Sequence, residues 1–406
     1  MPQILPAILT RPVRNKVCVF PVDDDCSLTQ SDINKTLSKN QFSFNNLFHK
    51  PYIKRLSGTK KYNAIRRLYL KFKKKNIILT DENPGYYIYN IIKDNNIEFT
   101  GIIGKGKHTD YINKKIIKIE KSNEEFVEEK YHLLNNIGFV SKPITLVHDE
   151  IASINAIIEK YKSKIPLYEF TSRNGYIHEV WKIIDPDDTK LIENAYTEEV
   201  EKLFILDDDD CFDALHQIYK KKLEISKDTH TGWESYNYFP VFLVSHNNIK
   251  IHEYKKGIPP DYPNDTDKVL SLLLKDFEII EIFDYNEPQK GEILLYTPKG
   301  KFKLIAKPHI LKLHLPDNTV FERFILSNLS TNEQVLKINA LKYCSGKRSA
   351  KCVENQLSKG NCKFGFIIKN LSFEDIKTAD EKNIKIPYKS VYIEPRVLKG
   401  LFMYEI

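Results

Sequence analysis

The stretch "LFILDDDDCFDAL" at positions 203–215 is the feature that most constrains the fold. Four apolar residues are followed at once by four aspartates, 207–210. An amphipathic pattern then resumes at helical spacing with Phe212, Leu215, Ile218 and Tyr219. The pattern predicts a short buried strand that turns directly into a helix. We therefore expect a mixed α/β protein built around strand-turn-helix units.

The composition is that of a globular protein. The 406 residues are 41% hydrophobic and 29% charged, which is typical of a soluble chain. No run approaches the roughly 18 apolar residues that a membrane span needs. The opening "MPQILPAILTRPVRNKV" has its first basic residue after the apolar stretch, the reverse of a secretory signal. We therefore expect a soluble, cytoplasmic protein.

The cysteines and the net charge point to no particular partner. The six cysteines show neither a CxxC pair nor a histidine at zinc-finger spacing, so we expect free, mostly buried thiols. The net charge of +8 hints at anionic partners. However, joint enrichment in Lys, Ile and Asn is typical of a genome-wide codon bias. We therefore do not expect nucleic acid or a membrane as a partner. The expected partner is an unidentified small molecule or protein.

The segment 54–75, "KRLSGTKKYNAIRRLYLKFKKK", carries ten Lys or Arg residues and no acid. Tyr62, Ile65, Tyr69 and Phe72 fall at helical spacing, which predicts an amphipathic helix with a basic outer face. A phosphate-contacting helix and a solvated charged face both agree with this pattern. The solvated face is the favoured interpretation in a Lys-rich chain.

A second helix is predicted over 122–138. Ser122 and Glu125 form a capping box, and Gly138 is a C-terminal stop signal. The apolar face is predicted to comprise Phe126, Lys130, Leu133, Leu134 and Ile137.

Beyond about residue 235 the pattern changes to hairpins. "VFLVSHNNIKIHEY" and "GEILLYTPKGKFKLIAKP" each predict a strand, a turn and a strand. Near the end, Ser372 with Asp375 caps a predicted helix. We therefore predict two lobes, an N-terminal α/β lobe over 1–235 with the strand-turn-helix and a hairpin-rich α+β lobe over 236–406.

Two segments were considered as phosphate or metal sites. "GIIGKGKHT" satisfies most of a P-loop, but His108 stands where a Mg²⁺-binding hydroxyl is needed, and no suitable helix pattern follows. The four aspartates have three interpretations. The first is helix capping, which explains one or two of the four residues. A Mg²⁺ or Ca²⁺ site with Asp207, Asp209 and Asp210 as ligands is the second, although adjacent residues cannot all point at one ion.

The third interpretation comes from a resemblance that runs from one end of the chain to the other. "ILPAILTRPVRNKVCVFPVDD", "NQFSFNNLFHKPYI", "ENPGYYIYNIIKDNNIEFTGIIG" and "IPYKSVYIEPRVLKGLF" resemble, in order and spacing, segments of the domain-of-unknown-function family 1015. At "LFILDDDDCF" the family carries Tyr-Ile-Ala-Asp-Gly-His-His-Arg-Tyr. Its Asp-Gly-His-His-Arg motif resembles a turn of ParB-like and free-serine-kinase-like proteins that handles nucleotide phosphates.

The resemblance implies a degraded site. Asp207 matches the family's Asp, whereas Asp208 replaces Gly, Asp209 and Asp210 replace the two His, and Cys211 replaces Arg. These changes replace groups that face an anion by groups that repel one, unless a cation intervenes.

The family's second motif is altered in parallel, within "IEKSNEEFVEEK". Glu120 is kept, and Ser122 replaces Thr. Lys130 replaces Arg beside Glu129, and Asp23 is kept in the opening segment. The resemblance implies that Glu120 and Asp207 are the catalytic positions, and that Asp23, Ser122, Glu129 and Lys130 are the ligand-binding ones.

The sequence favours a non-catalytic or altered binding or regulatory protein with a degraded nucleotide site. The alternative is a nucleotide-dependent phosphotransferase that acts on a small hydroxyl compound such as a hydroxy amino acid. Its base would be Glu120, and Asp207–Asp210 would hold Mg²⁺ with a nucleotide.

Overall fold

The computed structural model describes residues 1–24, 30–94, 96–227, 229–330, 341–344 and 349–406. The strands are β1 Ile4–Leu5, β2 Thr10–Pro12, β3 Ile78–Thr80, β4 Tyr86–Lys93, β5 Asn96–Lys107, β6 Ile116–Lys118, β7 Phe139–Val140, β8 Ile144–His148, β9 Tyr168–Thr171, β10 Ile177–Ile183, β11 Leu203–Ile205, β12 Tyr238–Ser245, β13 Ile251–His252, β14 Lys255–Ile258, β15 Phe277–Ile282, β16 Glu292–Thr297, β17 Gly300–Ala306, β18 Lys342–Cys344, β19 Phe364–Ile368, β20 Tyr392–Ile393 and β21 Tyr404–Glu405. The helices are α1 Gln30–Lys39, α2 Asn46–His49, α3 Pro51–Lys54, α4 Gly58–Lys74, α5 His108–Ile112, α6 Glu124–Ile137, α7 Ala152–Lys162, α8 Pro186–Glu198, α9 Asp209–Ile225, α10 Thr266–Leu273, α11 Pro308–Leu311, α12 Asp317–Val320, α13 Ser327–Leu329, α14 Ser349–Ser358 and α15 Phe373–Glu381.

The chain forms two compact units. Unit 1 consists of Met1–Lys118, Glu124–Lys250 and Pro395–Ile406, and unit 2 consists of Ile119–Asn123 and Ile251–Glu394. This division differs from the contiguous lobes 1–235 and 236–406 because unit 1 extends through β12 and regains the last residues of the chain. The mixed α/β class is confirmed.

Unit 1 is built on a nine-stranded sheet. Its strand order is β6-β11-β8-β12-β5-β4-β10-β9, and β1 also pairs with β5. All eight residues of β12 are buried, as expected for a strand with a neighbour on both edges. A side chain at Gly101 of β5 would place its Cβ 2.3 Å from the carbonyl oxygen of Leu243, so glycine is required where β5 meets β12.

The glycines of "GIIGKGKHT" lie within β5, and the helix that follows, α5, has only five residues. The structure therefore agrees with the rejection of a P-loop, which needs a loop and a helix N-terminus at this place.

Two predicted helices are present, with one correction. In α4 the buried residues are Ile65, Leu68, Tyr69 and Phe72. In α6 they are Val127, Leu134 and Ile137, whereas Phe126 is 38% exposed, so its predicted burial is wrong. Phe126 lies in the first turn of α6, about 80–100° around a 3.6-residue helix from Val127 and Leu134, and so at the edge of the buried face. Among the described residues, no helix is long and apolar enough to cross a membrane.

Unit 2 contains a six-stranded sheet with the order β15-β17-β16-β19-β14-β18. The predicted hairpin formed by β16 and β17 and the capping box of Ser372 with Asp375 are both confirmed. The hairpin predicted in "VFLVSHNNIKIHEY" is wrong, since β13 pairs with β20. Both edges of β12 are already occupied by β5 and β8, so no edge is free for β13.

The cysteine prediction needs a correction as well. Cys344 and Cys352 form a disulfide because β18 and the first turn of α14 bring their Cα atoms to 6.0 Å. Cys18, Cys211 and Cys362 are free, and Cys18 is exposed rather than buried. Cys26 lies outside the described residues.

Candidate functional site

The aspartate cluster forms the turn between β11 and α9, as the sequence predicts. β11 ends at Ile205 and α9 begins at Asp209. Asp208 has φ 65° and ψ 35°, a left-handed backbone that favours glycine and that aspartate tolerates better than most residues. The resemblance places a glycine at this position, so the turn geometry of the family explains the unusual backbone.

The side chain of Lys142, between β7 and β8, lies at the centre of the site. Its Nζ is 2.7 Å from Asp24 Oδ2, 2.8 Å from Asp207 Oδ2 and 2.7 Å from Asp208 Oδ2. The Lys142 side chain is only 4% exposed. One buried ammonium group therefore contacts one oxygen of each of three carboxylates.

Three further cations surround the same carboxylates. Arg396 Nη2 lies 3.1 Å from Asp207 Oδ1, and Arg396 Nη1 lies 3.7 Å from Asp24 Oδ2. Lys399 Nζ lies 2.5 Å from Asp24 Oδ1, and Lys130 Nζ lies 3.6 Å from Asp208 Oδ1. We call the seven residues the acid-base cluster: Asp24, Lys130, Lys142, Asp207, Asp208, Arg396 and Lys399.

The acid-base cluster carries three carboxylates and four cations, an excess of one positive charge if all are ionised. Burial alone would raise the pKa of Asp208, but Lys142 and Lys130 outweigh it and lower that pKa to about 2. Lys142, Lys399 and Arg396 likewise hold the pKa of Asp24 well below its usual value despite burial. The attraction to these lysines therefore outweighs both burial and the repulsion from Asp24 at Asp208.

The pKa values of the lysines change in the complementary direction. Burial would lower the pKa of Lys142, but the three aspartates raise it well above its usual value. Burial would also lower the pKa of Lys130, but Asp208 and its neighbours raise it above its usual value. All four groups are therefore held in their charged forms at neutral pH.

The geometry of the acid-base cluster suits a lysine rather than a metal ion. Among the described residues, carboxylate oxygens of Asp24, Asp207 and Asp208 lie within 4.8 Å of one another. The Lys142 ammonium contacts all three carboxylates, so a divalent cation would have to displace it. Asp209 and Asp210 are not members of this group, and the Asp209 carboxylate acts on Lys118, whose pKa it helps to raise against burial.

Glu120 belongs to unit 2 and is 7% exposed. Its carboxylate accepts backbone N–H groups from Lys389 at 2.8 Å, Ser390 at 3.1 Å and Val391 at 3.0 Å. Burial, offset in part by these hydrogen bonds, raises the pKa of Glu120 to about 8. Glu120 therefore holds the backbone of residues 389–391 in place by hydrogen bonds. That Glu120 and Asp207 form one catalytic site stays a prediction.

The remaining predicted ligand-binding residues lie in different surroundings. Asp23 lines a cavity of about 230 Å³ in unit 1, together with Lys39 and Arg173. Ser122 is half-buried in unit 2, and Glu129 is exposed on α6. Of the ligand-binding residues predicted from the sequence, Lys130 lies at ion-pair distance from Asp208 in the acid-base cluster.

The sequence did not point to Asp24, Lys142, Arg396 or Lys399. A signal existed for two of them, since "EPRVLKGLF" holds Arg396 and Lys399 and resembles the family's C-terminal segment. Lys142 is one lysine among many in this chain, and only the fold places it beside the turn. Asp24 directly follows the predicted Asp23, but adjacent side chains of an extended segment point to opposite sides.

The nine-stranded sheet and the strand-turn-helix define an α/β protein of two units. This chain belongs to the family described as "protein of unknown function (DUF1015)", whose model matches residues 14–332. Among curated protein sequences, none matches the chain.

Three solved structures match this chain with low scores. A conserved hypothetical protein from Pyrococcus furiosus has a TM-score of 0.38 and 14% identity, and the match covers 72% of this chain and 91% of that one. C-terminally truncated SbnI from Staphylococcus aureus has a TM-score of 0.39 and 10% identity, with 70% and 82% covered. A free serine kinase variant in complex with AMP has a TM-score of 0.39 and 12% identity, with 72% and 88% covered. These scores are too low to assign a ligand or an activity to this chain.

Proposed function

We propose that this protein is a non-catalytic binding or regulatory member of its family, in which the β11–α9 turn stabilises the fold instead of receiving a nucleotide. The observation that carries the proposal is the contact of Lys142 Nζ with Asp24, Asp207 and Asp208 at 2.7 to 2.8 Å. The partner would be a small molecule or another protein that binds elsewhere on the chain.

The chemistry of the turn supports this proposal. A phosphate-binding turn offers free backbone N–H groups and positive side chains to the anion. Here two carboxylates, Asp207 and Asp208, occupy the turn, and the nearby cations already contact them. A phosphate entering the turn would have to break buried ion pairs, each break costing about 3–5 kcal/mol.

The alternative function is a nucleotide-dependent phosphotransferase with Glu120 as base and Mg²⁺ at the aspartates. In that case Glu120 needs a lone pair that faces the substrate. Its two oxygens accept three backbone N–H groups in unit 2, which leaves about one of their four lone pairs for a substrate. The surroundings of Glu120 therefore favour the non-catalytic function.

The test is titration calorimetry of the full chain with ATP, ADP and CTP, each with and without millimolar Mg²⁺. We expect no binding heat with any of the six additions, because carboxylates occupy the turn and the nearby cations are already paired with them. A micromolar dissociation constant without Mg²⁺ would contradict the proposal. Binding only with Mg²⁺, followed by transfer of phosphate to serine or a similar hydroxyl compound, would establish the phosphotransferase instead.

Lys142→Met provides the internal control. In wild-type protein the ammonium blocks metal access, so removing it exposes three carboxylates to a cation. We expect Mg²⁺ to bind measurably to the variant and not to wild type. Equal Mg²⁺ binding by both proteins would show that the lysine does not occupy the site in solution.

A further inference from the structure

Unit 2 contains a cavity of about 370 Å³ that the acid-base cluster does not involve. One wall is the turn of the β16–β17 hairpin, with Thr297 and Pro298, and the other is the last turn of α14, with Leu357 and Ser358. This volume lies within the roughly 300–1,000 Å³ of sites that bind small molecules.

Tyr296 of β16 lines this cavity. The residue is 1% exposed, and within the described part of the chain its hydroxyl is buried without a hydrogen-bond partner. A buried tyrosine hydroxyl usually has a partner, since leaving it without one costs about 1–3 kcal/mol. The hydroxyl oxygen is closed to water-sized molecules, so a ligand in the cavity has to move the atoms that cover it before the hydroxyl can donate its hydrogen bond.

The polar groups around the cavity are neutral or cancel each other. Burial raises the pKa of Tyr296 to about 12 and also raises the pKa of Cys362, which lines the cavity, so both remain protonated at neutral pH. Lys301 and Glu354 line it as well and form an ion pair of 2.7 Å. A charged ligand would therefore find no unpaired opposite charge on these groups.

We propose that this cavity binds a small, neutral, mostly apolar molecule with one hydrogen-bond acceptor, such as a ketone, an ester or an alcohol. Tyr296 donates its O–H to that acceptor, and Leu357 and Pro298 contact the apolar part. Lys301, whose Nζ lies 4.8 Å from the centre of the Tyr296 ring, pairs with Glu354 beside the bound molecule. The proposal involves unit 2 alone and is independent of the β11–α9 turn.

Saturation-transfer NMR with acetophenone as the probe tests this site in the full chain. Benzoate and benzylammonium serve as charged probes of similar size. We expect saturation transfer to acetophenone and little to the charged probes. Tyr296→Phe should weaken acetophenone binding about three- to tenfold, the effect of losing one neutral hydrogen bond. Ser358→Trp, at the exposed rim, should abolish it by filling the entrance.

Tyr262→Phe is the matched control. Tyr262 is also 1% exposed, but its hydroxyl donates to the Leu329 carbonyl at 2.7 Å and it does not line the cavity. We expect Tyr262→Phe to lower the melting temperature and leave acetophenone binding unchanged. Tyr296→Phe should weaken acetophenone binding and leave the melting temperature nearly unchanged.

Three results would overturn the proposal. The first is the absence of saturation transfer to acetophenone at millimolar concentration. The second is binding that Ser358→Trp leaves intact, which would place the probe elsewhere. The third is a melting temperature lowered as much by Tyr296→Phe as by Tyr262→Phe, which would show that the Tyr296 hydroxyl already has a partner.

Discussion

Both units bury carboxylates next to a lysine, and the pKa values of those carboxylates change in opposite directions. In unit 1, the pKa of Asp208 falls to about 2 despite burial. In unit 2, burial raises the pKa of Glu253 to about 7, although Lys256 pairs with it and Asn318 Nδ2 donates to it at 2.6 Å. Burial raises the pKa of Glu120 to about 8.

The difference lies in the number of cations that face each carboxylate. Asp208 is near Lys142 and Lys130, and the whole acid-base cluster has four cations for three acids. Glu253 contacts Lys256, and Lys255 lies further away. Glu120 accepts backbone N–H groups, and the nearby negative charge of Glu253 raises its pKa further. Burial favours the neutral acid, and at Asp208 the two close cations outweigh that preference. The acid-base cluster is therefore an ionic structure, whereas Glu253 and Glu120 of unit 2 have pKa values near neutral pH.

The largest expected effect is that of Lys142→Met. The variant leaves three buried carboxylates without their shared cation, which should cost about 3–5 kcal/mol of unfolding free energy. Lys256→Met should cost less at pH 7, because Glu253 can take up a proton when its cation is removed. Urea unfolding of both variants at pH 7 measures the difference. Equal losses would remove the distinction between the two units.

The second effect concerns acid. The pKa values of Asp24 and Asp208 are lowered by folding, so their contribution to stability is complete above about pH 4 and is lost as the pH falls towards 2. Asp208→Asn should therefore cost roughly 2 kcal/mol at pH 6 and about half as much at pH 3. Urea unfolding at the two pH values measures both costs. A cost that does not change with pH would contradict an ionised Asp208 pair.

The third effect has the opposite sign and a smaller size. The pKa of Glu253 is raised by folding, so its contribution is complete below its ordinary value of 4.5 and is lost as the pH rises through about 7. The unfolding free energy should fall between pH 6.5 and 7.5 by at most about 1.4 kcal/mol for this group. Glu253→Gln should remove that dependence, and the same slope in variant and wild type would contradict the assignment.

The pH window for this third measurement follows from the other buried groups. Burial lowers the pKa of His216 and His148 to about 4, so they destabilise the fold only as the pH falls below about 6.5. The pKa of Lys255 is lowered to about 8, so its effect appears mainly above pH 8. The difference between wild type and Glu253→Gln cancels what remains of both.

The smallest expected effect is that of divalent metal on wild-type protein. Because Lys142 contacts Asp24, Asp207 and Asp208 and three further cations complete their neutralisation, 10 mM Mg²⁺ and 1 mM EDTA should give melting temperatures within about 1 °C of each other. Asp209→Asn combined with Asp210→Asn should respond to metal no more than wild type does. A rise of several degrees in Mg²⁺ alone would indicate a metal site that the lysine does not fill.

The local elements of this fold could be predicted from the sequence. The apolar run at 203–206, the following helical period, α4 and the β16–β17 hairpin depend on contacts between residues close in sequence, and the structure contains them. The partner of β13 and the disulfide of Cys344 depend on pairings that a local pattern does not encode, and both were missed.

The acid-base cluster shows the same limit. The four aspartates are visible as a run of like charge, and repulsion is the natural inference from them. Lys142, Arg396 and Asp24 come from segments far from the run in sequence, so the sign of the local potential is set by long-range packing. The family resemblance pointed to the correct turn and to Lys130, but not to Lys142, which contacts all three carboxylates.

The central claim is that the Lys142 ammonium is the cation of the β11–α9 turn. A crystal structure of the wild-type protein grown in 10 mM MnCl₂, with anomalous data for manganese, tests it directly. We predict no anomalous peak at Asp24, Asp207 and Asp208, with Lys142 Nζ in hydrogen-bonding contact with all three carboxylates. A manganese peak between these carboxylates, with Lys142 displaced from them, would contradict the account.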